Sequence, residues 1–126
     1  IARGEPVPPR APAAGAPRHA IEARLCADDP DAGFLPSPGR IARFDAALGP
    51  GMRLDTGYTA GSVVPAACDS LLAKVIATGA TREEARARLY GALADFDLVV
   101  QGGATNKGYL LEILDDEEFR RGGIDT

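Results

Sequence analysis

The segment that begins at Gly103 has a spacing that could bind a nucleotide phosphate. Gly103 and Gly108 enclose four residues, as the glycines of a P-loop do, and backbone N–H groups cradle the phosphates in such a loop. A P-loop also needs a lysine and then a serine or threonine directly after the second glycine, to grip phosphate and magnesium. Tyr109 and Leu110 occupy those positions. We therefore interpret the segment as a turn that leads into a capped helix.

Two further groups of reactive side chains predict no site on their own. The run 115–118 is entirely acidic, but consecutive helical residues point around the whole axis, so we expect a solvated face and no cation site. His19 is the single histidine, which argues against a metal site. Its place in an alternating strand predicts a buried histidine of the core, and no nucleophile–histidine–acid set accompanies it.

The composition excludes several classes of protein. The chain has 126 residues, 45% hydrophobic and 6% aromatic, with a formal net charge of −4, which fits one globular domain with a modest core. Its mixed charges lack the basic face that nucleic acids require, and no apolar run approaches the roughly 20 residues of a membrane span. Cys26 and Cys68 have neither zinc-site spacing nor the density of a secreted scaffold. We expect both to be reduced and largely buried, which favours the cytoplasm.

The first 18 residues predict a connector. Five of the ten prolines fall between Glu5 and Pro17, and proline lacks the N–H and fixes φ, so the stretch fits neither a helix interior nor a central strand. We divide the chain into a connector, 1–18, and a folded domain, 19–126.

Strands are predicted first along the folded part. Residues 19–26 alternate between apolar and polar side chains, which predicts a half-buried strand with Glu22 and Arg24 on its polar side. A proline-rich loop over 34–39 should hold Phe34 and Leu35 beneath it. Four more short strands are predicted between turn signals: 40–44, 52–56, 71–77 and 98–100.

Helices are predicted later along the chain. Thr81 and Glu84 have the spacing of a capping box, in which the hydroxyl accepts from the Glu84 N–H and the carboxylate from the Thr81 N–H. Apolar residues then recur every three or four positions, which predicts a helix over 82–95. A second helix is predicted over 106–114, and its apolar residues should be buried: Leu110, Ile113 and Leu114. Strands followed by helices predict an α+β domain with a small, mainly antiparallel sheet.

Seven segments of the folded part match a family pattern. They read HAIEARLCADDP at 19–30, GFLPSPG at 33–39, RLDTG at 53–57, DSLLAKVI at 69–76, TREEA at 81–85, TN at 105–106 and GGIDT at 122–126. Over about 19–126 the chain resembles the C-terminal domain of biotin carboxylases, which acyl-CoA, pyruvate and urea carboxylases share. The resemblance implies the fold of that domain, including its rudiment single hybrid motif.

The resemblance implies a two-step reaction in a longer enzyme. ATP and bicarbonate form carboxyphosphate, and CO₂ is then transferred to the ureido nitrogen of biotin on a carrier domain. In the family, the ATP-grasp domain that binds ATP with Mg²⁺ or Mn²⁺ lies upstream, so this chain alone is expected to bind no cofactor and to be inactive. The implied partners are that ATP-grasp domain, the biotin carboxyl carrier domain, the carboxyltransferase component and a second copy in a homodimer.

Three residues are predicted to serve the site. Arg24 matches a family arginine that faces bicarbonate and biotin, a role that suits a fixed guanidinium because negative charge develops on oxygen in both steps. Glu22, two residues earlier on the same strand face, is predicted to orient Arg24. Arg53 matches a position at the homodimer interface, with a plain surface arginine as the open alternative.

Three functions remain open from the sequence. The leading hypothesis is the biotin carboxylase part of an acetyl- or propionyl-CoA carboxylase alpha chain, in fatty acid metabolism. The second is a non-catalytic module for dimerisation or assembly, which would have no need of Arg24. The third is the same domain of a pyruvate or urea carboxylase, because this domain does not touch the acceptor.

Overall fold

The computed structural model describes Gly4 and residues 19–123. The predicted connector, 1–18, lies outside the described residues except for Gly4, and so do residues 124–126. The strands of the described part are β1 His19–Cys26, β2 Asp28–Asp29, β3 Leu35–Pro36, β4 Gly39–Asp45, β5 Met52–Thr56, β6 Val63–Val64, β7 Leu71–Gly79 and β8 Asp97–Gln101. The helices are α1 Arg82–Asp95, α2 Lys107–Asp115 and α3 Glu117–Arg121, and a 3₁₀ turn spans Pro30–Ala32.

The strands form two small sheets and a short ribbon, and all of their pairings are antiparallel. The first sheet has the order β1-β7-β5, the second has the order β6-β4-β8, and β2 pairs with β3. In the first sheet β1 and β5 are the edge strands on either side of β7. The prediction of an α+β domain with antiparallel pairing is confirmed, although the strands divide between two sheets.

Helix α1 covers one face of the first sheet, over the bounds that the sequence predicts. The N–H of Glu84 donates to Thr81 Oγ1 at 3.1 Å, as in the predicted capping box. The carboxylate of Glu84, however, accepts from the N–H of Ala80 at 2.6 Å, one residue before the predicted partner. Strand and helix approach closely here, since a Cβ on Gly79 would lie 2.6 Å from the backbone nitrogen of Ala85.

The main hydrophobic core lies between this sheet and the helices. It joins the inner face of β1 and β7 to α1 and to the end of α2 through the following buried residues: Ile21, Ala23, Leu25, Ala73, Val75, Ala77, Ala85, Leu89, Ala92, Leu93, Phe96 and Leu114. A smaller core lies against the second sheet and contains Ala27, Ile41, Val64, Leu72 and Val100. Phe44 contacts both cores, and its ring meets that of Phe96 edge-on at 5.0 Å.

At the start of β1 and in the loop over 34–39, three residues that were predicted to be buried are exposed. His19 is exposed at the start of β1, where its partner across the sheet is Gly79, which has no side chain to pack against. Phe34 and Leu35 are 43% and 63% exposed. Phe34 has a positive φ of 61° and rests its ring edge-on against Tyr109, with centroids 4.8 Å apart. The loop therefore presents these apolar side chains at the surface.

The acidic run spans two helices, not one. Helix α2 ends at Asp115, and Asp116 begins α3 by accepting from the N–H groups of Glu118 and Phe119. The run is exposed, as predicted, but the carboxylate of Asp116 has a capping role. Of the three apolar residues expected to be buried in the second helix, only Leu114 is buried fully, while Leu110 and Ile113 are half-buried.

Candidate functional site

Arg24 projects from the uncovered face of the first sheet. Its neighbours in β1, Ala23 and Leu25, are 5% and 0% exposed and face the core, so strand alternation directs Arg24 to the opposite face. The Arg24 side chain is 56% exposed, and its Nη2 lies 4.0 Å from Asp69 Oδ2. An exposed ion pair at this distance binds weakly, which leaves the guanidinium donors available to another anion.

Glu22 lies on the same face as Arg24, but the two side chains form no ion pair within 4.0 Å in the described part of the chain. Across the sheet, Glu22 and Arg53 are both in register with Ile76 of β7. The charge of Glu22 contributes to raising the pKa of Arg53, after the larger effect of Asp55. That Glu22 orients Arg24 stays a prediction.

Arg53 lies on β5, the other edge strand, and its side chain is 70% exposed. Its Nε and Nη2 donate to the two carboxylate oxygens of Asp55 at 2.8 and 2.6 Å. This bidentate bond lowers the pKa of Asp55 and raises that of Arg53. Arg24 and Asp55 are both in register with Lys74, so β7 separates the two arginines. The three predicted residues share one sheet face without touching one another.

Asn106 is a site residue that sequence reasoning missed. Its Nδ2 donates to the carbonyl of Arg24 at 3.1 Å, and its Oδ1 accepts from the N–H of Cys26 at 2.9 Å. The Asn106 N–H also donates to the carbonyl of Cys26 at 3.1 Å. Although Asn106 precedes α2, its side chain makes no capping bond, so the helix that the sequence predicts to be capped begins without a side-chain cap. A polar residue before an apolar helix suggests a cap, and nothing local signals a partner 80 residues away.

An open hollow of about 340 Å³ lies beside Arg24, between β1 and the helices. Its lining is mostly apolar and consists of Ile21, Glu22, Ala23, Arg24, Leu89, Asn106, Leu110, Ile113, Leu114 and Phe119. Glu22 and Arg24 are the charged members of this lining. The hollow is therefore mostly apolar, and the side chains of Glu22 and Arg24 project from β1 on the side opposite the core.

The two cysteines differ. Cys26, at the end of β1, is buried, as predicted, and burial raises the pKa of its thiol, with a further contribution from the charge of Asp28. Cys68 is exposed, so the prediction that it is buried is wrong. It lies in the turn before β7, outside both cores. The raised pKa indicates that Cys26 is a core thiol and not an activated nucleophile.

The described residues offer an exposed guanidinium but no cluster of metal ligands. No cluster of three or more histidine, cysteine, aspartate or glutamate side chains in residues 19–123 could hold a metal ion. Within the same range, no helix is both long and apolar enough to cross a bilayer. The exposed, planar guanidinium of Arg24 can bind an oxyanion in a bidentate manner, which is the chemistry this face offers.

Comparison with known proteins decides the family. The family model for the biotin carboxylase C-terminal domain matches residues 22–126. The chain belongs to this family. The match begins inside β1 at Glu22, so it includes Arg24, Arg53 and Asn106.

Individual relatives agree with the family. Over 87 residues the chain is 51% identical to the biotin-dependent acyl-coenzyme A carboxylase alpha3 subunit of Mycobacterium leprae, covering 69% of this chain and 14% of the relative. It is 42% identical over 106 residues to a biotin carboxylase of Pseudomonas aeruginosa, covering 84% of this chain and 23% of that protein. The chain thus spans less than a quarter of these relatives.

A solved structure agrees with the fold. The biotin carboxylase domain of 2-oxoglutarate carboxylase from Hydrogenobacter thermophilus, a dimer in complex with MgADP, ADP and bicarbonate, superimposes with a TM-score of 0.78. The sequence identity is 35%, and the alignment covers 82% of this chain and 22% of that one. The two small antiparallel sheets with α1 are therefore the fold of a biotin carboxylase C-terminal domain.

Proposed function

We propose that this domain completes the active site of a biotin carboxylase, in which Arg24 is the catalytic residue that it contributes. The observation that carries the proposal is the Arg24 guanidinium, which is exposed on β1 and, among the described residues, is held by a single ion pair of 4.0 Å. Its position in the matched family segment supports the same role. Because the chain spans only 14–23% of the relatives above, the complete ATP-dependent ligase reaction requires further domains.

Arg24 acts on negatively charged oxygen atoms. Bicarbonate and the carboxyphosphate made from it both present oxyanions, and a fixed planar guanidinium binds these through two parallel N–H bonds. The pairing of β1 in the sheet already fixes the backbone from which the Arg24 side chain projects. The guanidinium can therefore stabilise the charge that develops on oxygen during CO₂ transfer without first being reoriented. Biotin, when bound, supplies the ureido nitrogen that accepts the CO₂.

The described residues fit the oxyanion and do not fit the metal. Arg24 has free donors, whereas residues 19–123 offer no ligand cluster for Mg²⁺ or Mn²⁺. We therefore assign ATP and the metal to an ATP-grasp domain that functions with this one. We assign the enzyme formed by these two domains to the cytoplasm. We also propose that it functions with a biotin carboxyl carrier domain and a carboxyltransferase component.

The holoenzyme that we favour is an acetyl- or propionyl-CoA carboxylase, in fatty acid metabolism. The identity of 51% to an acyl-CoA carboxylase subunit supports this choice. The similarity to a domain of 2-oxoglutarate carboxylase keeps other acceptors as alternatives, among them pyruvate and urea. We also propose that the domain forms a homodimer with Arg53 at its interface, since the similar domain from Hydrogenobacter thermophilus is a dimer.

The experiment compares the isolated chain with the assembled enzyme. The purified 126-residue chain should show neither bicarbonate-dependent ATP hydrolysis nor carboxylation of free biotin, and the assembled carboxylase should show both. In the assembled enzyme, Arg24→Ala should abolish most biotin carboxylation. Arg43→Ala is the matched control, because Arg43 is an arginine of similar exposure, 64% against 56% for Arg24, and its ion pair with Asp97 lies in the second sheet.

Two results would overturn the proposal. Bicarbonate-dependent ATP hydrolysis by the isolated chain would contradict the division of labour between domains. A fully active Arg24→Ala enzyme would instead favour the rival function, a non-catalytic module for dimerisation or assembly, which has no use for this guanidinium.

A further inference from the structure

Asn106 occupies the edge of the strand that carries Arg24. In the described residues β1 pairs only with β7, so its other edge has no strand beside it. On that edge the side-chain amide of Asn106 accepts from the N–H of Cys26 and donates to the carbonyl of Arg24. The backbone N–H of Asn106 adds a bond to the carbonyl of Cys26. One residue thus supplies the donor and acceptor groups that a neighbouring strand would offer.

These bonds lie where the regular sheet weakens. The register between β1 and β7 is continuous from His19 to Leu25 and shifts between Leu25 and Cys26. The ladder with β7 is therefore interrupted after Leu25, one residue beyond Arg24. Asn106 holds the backbone on both sides of Leu25, across the position of the shift.

Asn106 gives up a local role to make these contacts. It precedes α2, where an asparagine side chain ordinarily accepts from the first backbone N–H groups of the helix, yet it makes no such bond. It is only 9% exposed, and a buried amide that lost its partners would be costly. Its amide is thus committed to the strand that bears the guanidinium.

We propose that Asn106 is a positioning residue for Arg24, an inference that rests on the proposed catalytic role of that arginine. By fixing the Arg24 carbonyl and the Cys26 N–H, it holds the end of β1 in the one conformation that aims the guanidinium at the reacting oxyanion. A displacement of about 1 Å in a catalytic group can reduce turnover on the order of a hundredfold. Asn106 therefore affects turnover through the backbone and without touching substrate.

The test is a double-mutant cycle in the assembled carboxylase. Asn106→Ala should lower kcat for biotin carboxylation by about 10- to 100-fold, while KM for ATP stays unchanged. In an Arg24→Ala background, Asn106→Ala should cause no further fall, because the group that it positions is gone. Asn106→Asp supplies a second variant, since it keeps the acceptor for Cys26 but replaces the donor with a charged carboxylate oxygen that repels the Arg24 carbonyl. It should also lower kcat.

Ser37→Ala is the matched control. The Ser37 hydroxyl accepts from the N–H of Ala104 at 2.8 Å, which is a side-chain bond to the backbone close to the start of α2 that does not reach β1. This variant should lower the melting temperature and leave kcat unchanged. If both Asn106 variants are too unstable to purify, the test is a comparison of the Arg24 Nε signal in NMR spectra of the wild type and of Asn106→Ser. The proposal requires that signal to shift or broaden.

The outcomes separate this inference from the proposed function. If Arg24→Ala is impaired but folded Asn106→Ala keeps the wild-type kcat, the positioning role is wrong and the catalytic role stands. If Asn106→Ala lowers kcat equally with and without Arg24, it acts independently of that side chain, which also overturns the inference. If Arg24→Ala is fully active, the proposed function fails, and the positioning role fails with it.

Discussion

The two faces of the β1-β7-β5 sheet come from the same strands and have opposite character. Helix α1 covers the inner face, where Ala23 and Leu25 are at most 5% exposed. The outer face is open and carries alternating charges from Glu22, Arg24 and Arg53, together with Lys74 and Asp55 of the neighbouring strands. Each outward charge in β1 lies between two inward apolar residues.

This difference separates stability from chemistry. Packing on the inner face fixes the strand backbone, and a fixed backbone allows an exposed side chain to act without first being ordered. Substitutions on the inner face should therefore change the free energy of unfolding, whereas substitutions on the outer face should change function. The following predictions test that separation, beginning with the largest effect.

Arg24→Lys should have the largest effect, and it should be confined to activity. Lysine keeps the positive charge but loses the planar fork, and loss of such a donor costs about 3 to 4 kcal/mol, or roughly a hundred- to a thousandfold in turnover. Steady-state kinetics of the assembled enzyme should find a large fall in biotin carboxylation with a normal melting temperature. A variant that carboxylates biotin at the wild-type rate would make Arg24 a structural residue.

Leu25→Ala should have the reverse effect, which is a loss of stability of the fold. Leu25 is 0% exposed in the main core, and removing a buried leucine side chain costs about 2 to 5 kcal/mol through lost burial and the cavity that remains. Urea denaturation of the chain measures this loss. The matched control is Leu35→Ala, the same chemical change at a residue that is 63% exposed, which should change the free energy of unfolding by less than about 0.5 kcal/mol. Equal losses from both variants would contradict the assigned core.

Thr81→Ala should have a smaller effect on stability. The Thr81 hydroxyl caps α1, the helix that covers the inner face, by accepting from the N–H of Glu84. Removing such a cap costs about 1 kcal/mol. Thermal unfolding of the variant measures this loss. Thr81→Ser keeps the hydroxyl and should retain most of the stability. An equal loss of stability in Thr81→Ser would mean that the effect comes from the missing methyl group and not from the cap.

Local patterns predicted the bounds of the elements well and the exposure of individual side chains less well. The bounds of β1, β5 and α1 follow from local signals: apolar–polar alternation, turn residues and the spacing of Thr81 and Glu84. Each signal lies within or directly beside the element that it defines. His19 shows the limit, because strand alternation cannot reveal that the partner across the sheet is Gly79. Phe34 is similar, since its exposure depends on a contact with Tyr109, far along the chain.

The site was predictable only where a motif carried it. Arg24 alone resembles any exposed strand arginine, and the family segment around it supplied the functional expectation. Asn106 and Asp69 approach Arg24 or its backbone through the folding of distant segments. Their residue types are common in turns and caps, so their sequence positions favoured those local roles. Only the folded chain reveals these tertiary contacts.

In the isolated chain, Arg53→Ala should have the smallest effect, which is confined to one carboxyl group. The bidentate bond from Arg53 holds the pKa of Asp55 below its ordinary value of 3.8, so without the arginine that pKa should rise towards 3.8, as an NMR titration of the Asp55 side chain would measure. Because the folded pKa lies below the unfolded one, the pair contributes stability above about pH 3.8, and this contribution is lost as the pH falls through the folded pKa.

In the isolated chain the pair is largely exposed, with 70% of the Arg53 side chain and 41% of the Asp55 side chain accessible to solvent, so the melting temperature at pH 7 should hardly change. The wild type and the variant should converge completely in stronger acid. Arg43→Ala provides the control, since its ion pair with Asp97 lies in the second sheet and should leave the Asp55 titration unchanged. If Arg53→Ala instead lowers the melting temperature as much as Leu25→Ala does, the outer face contributes to folding like the inner one. The separation of stability from chemistry would then be wrong.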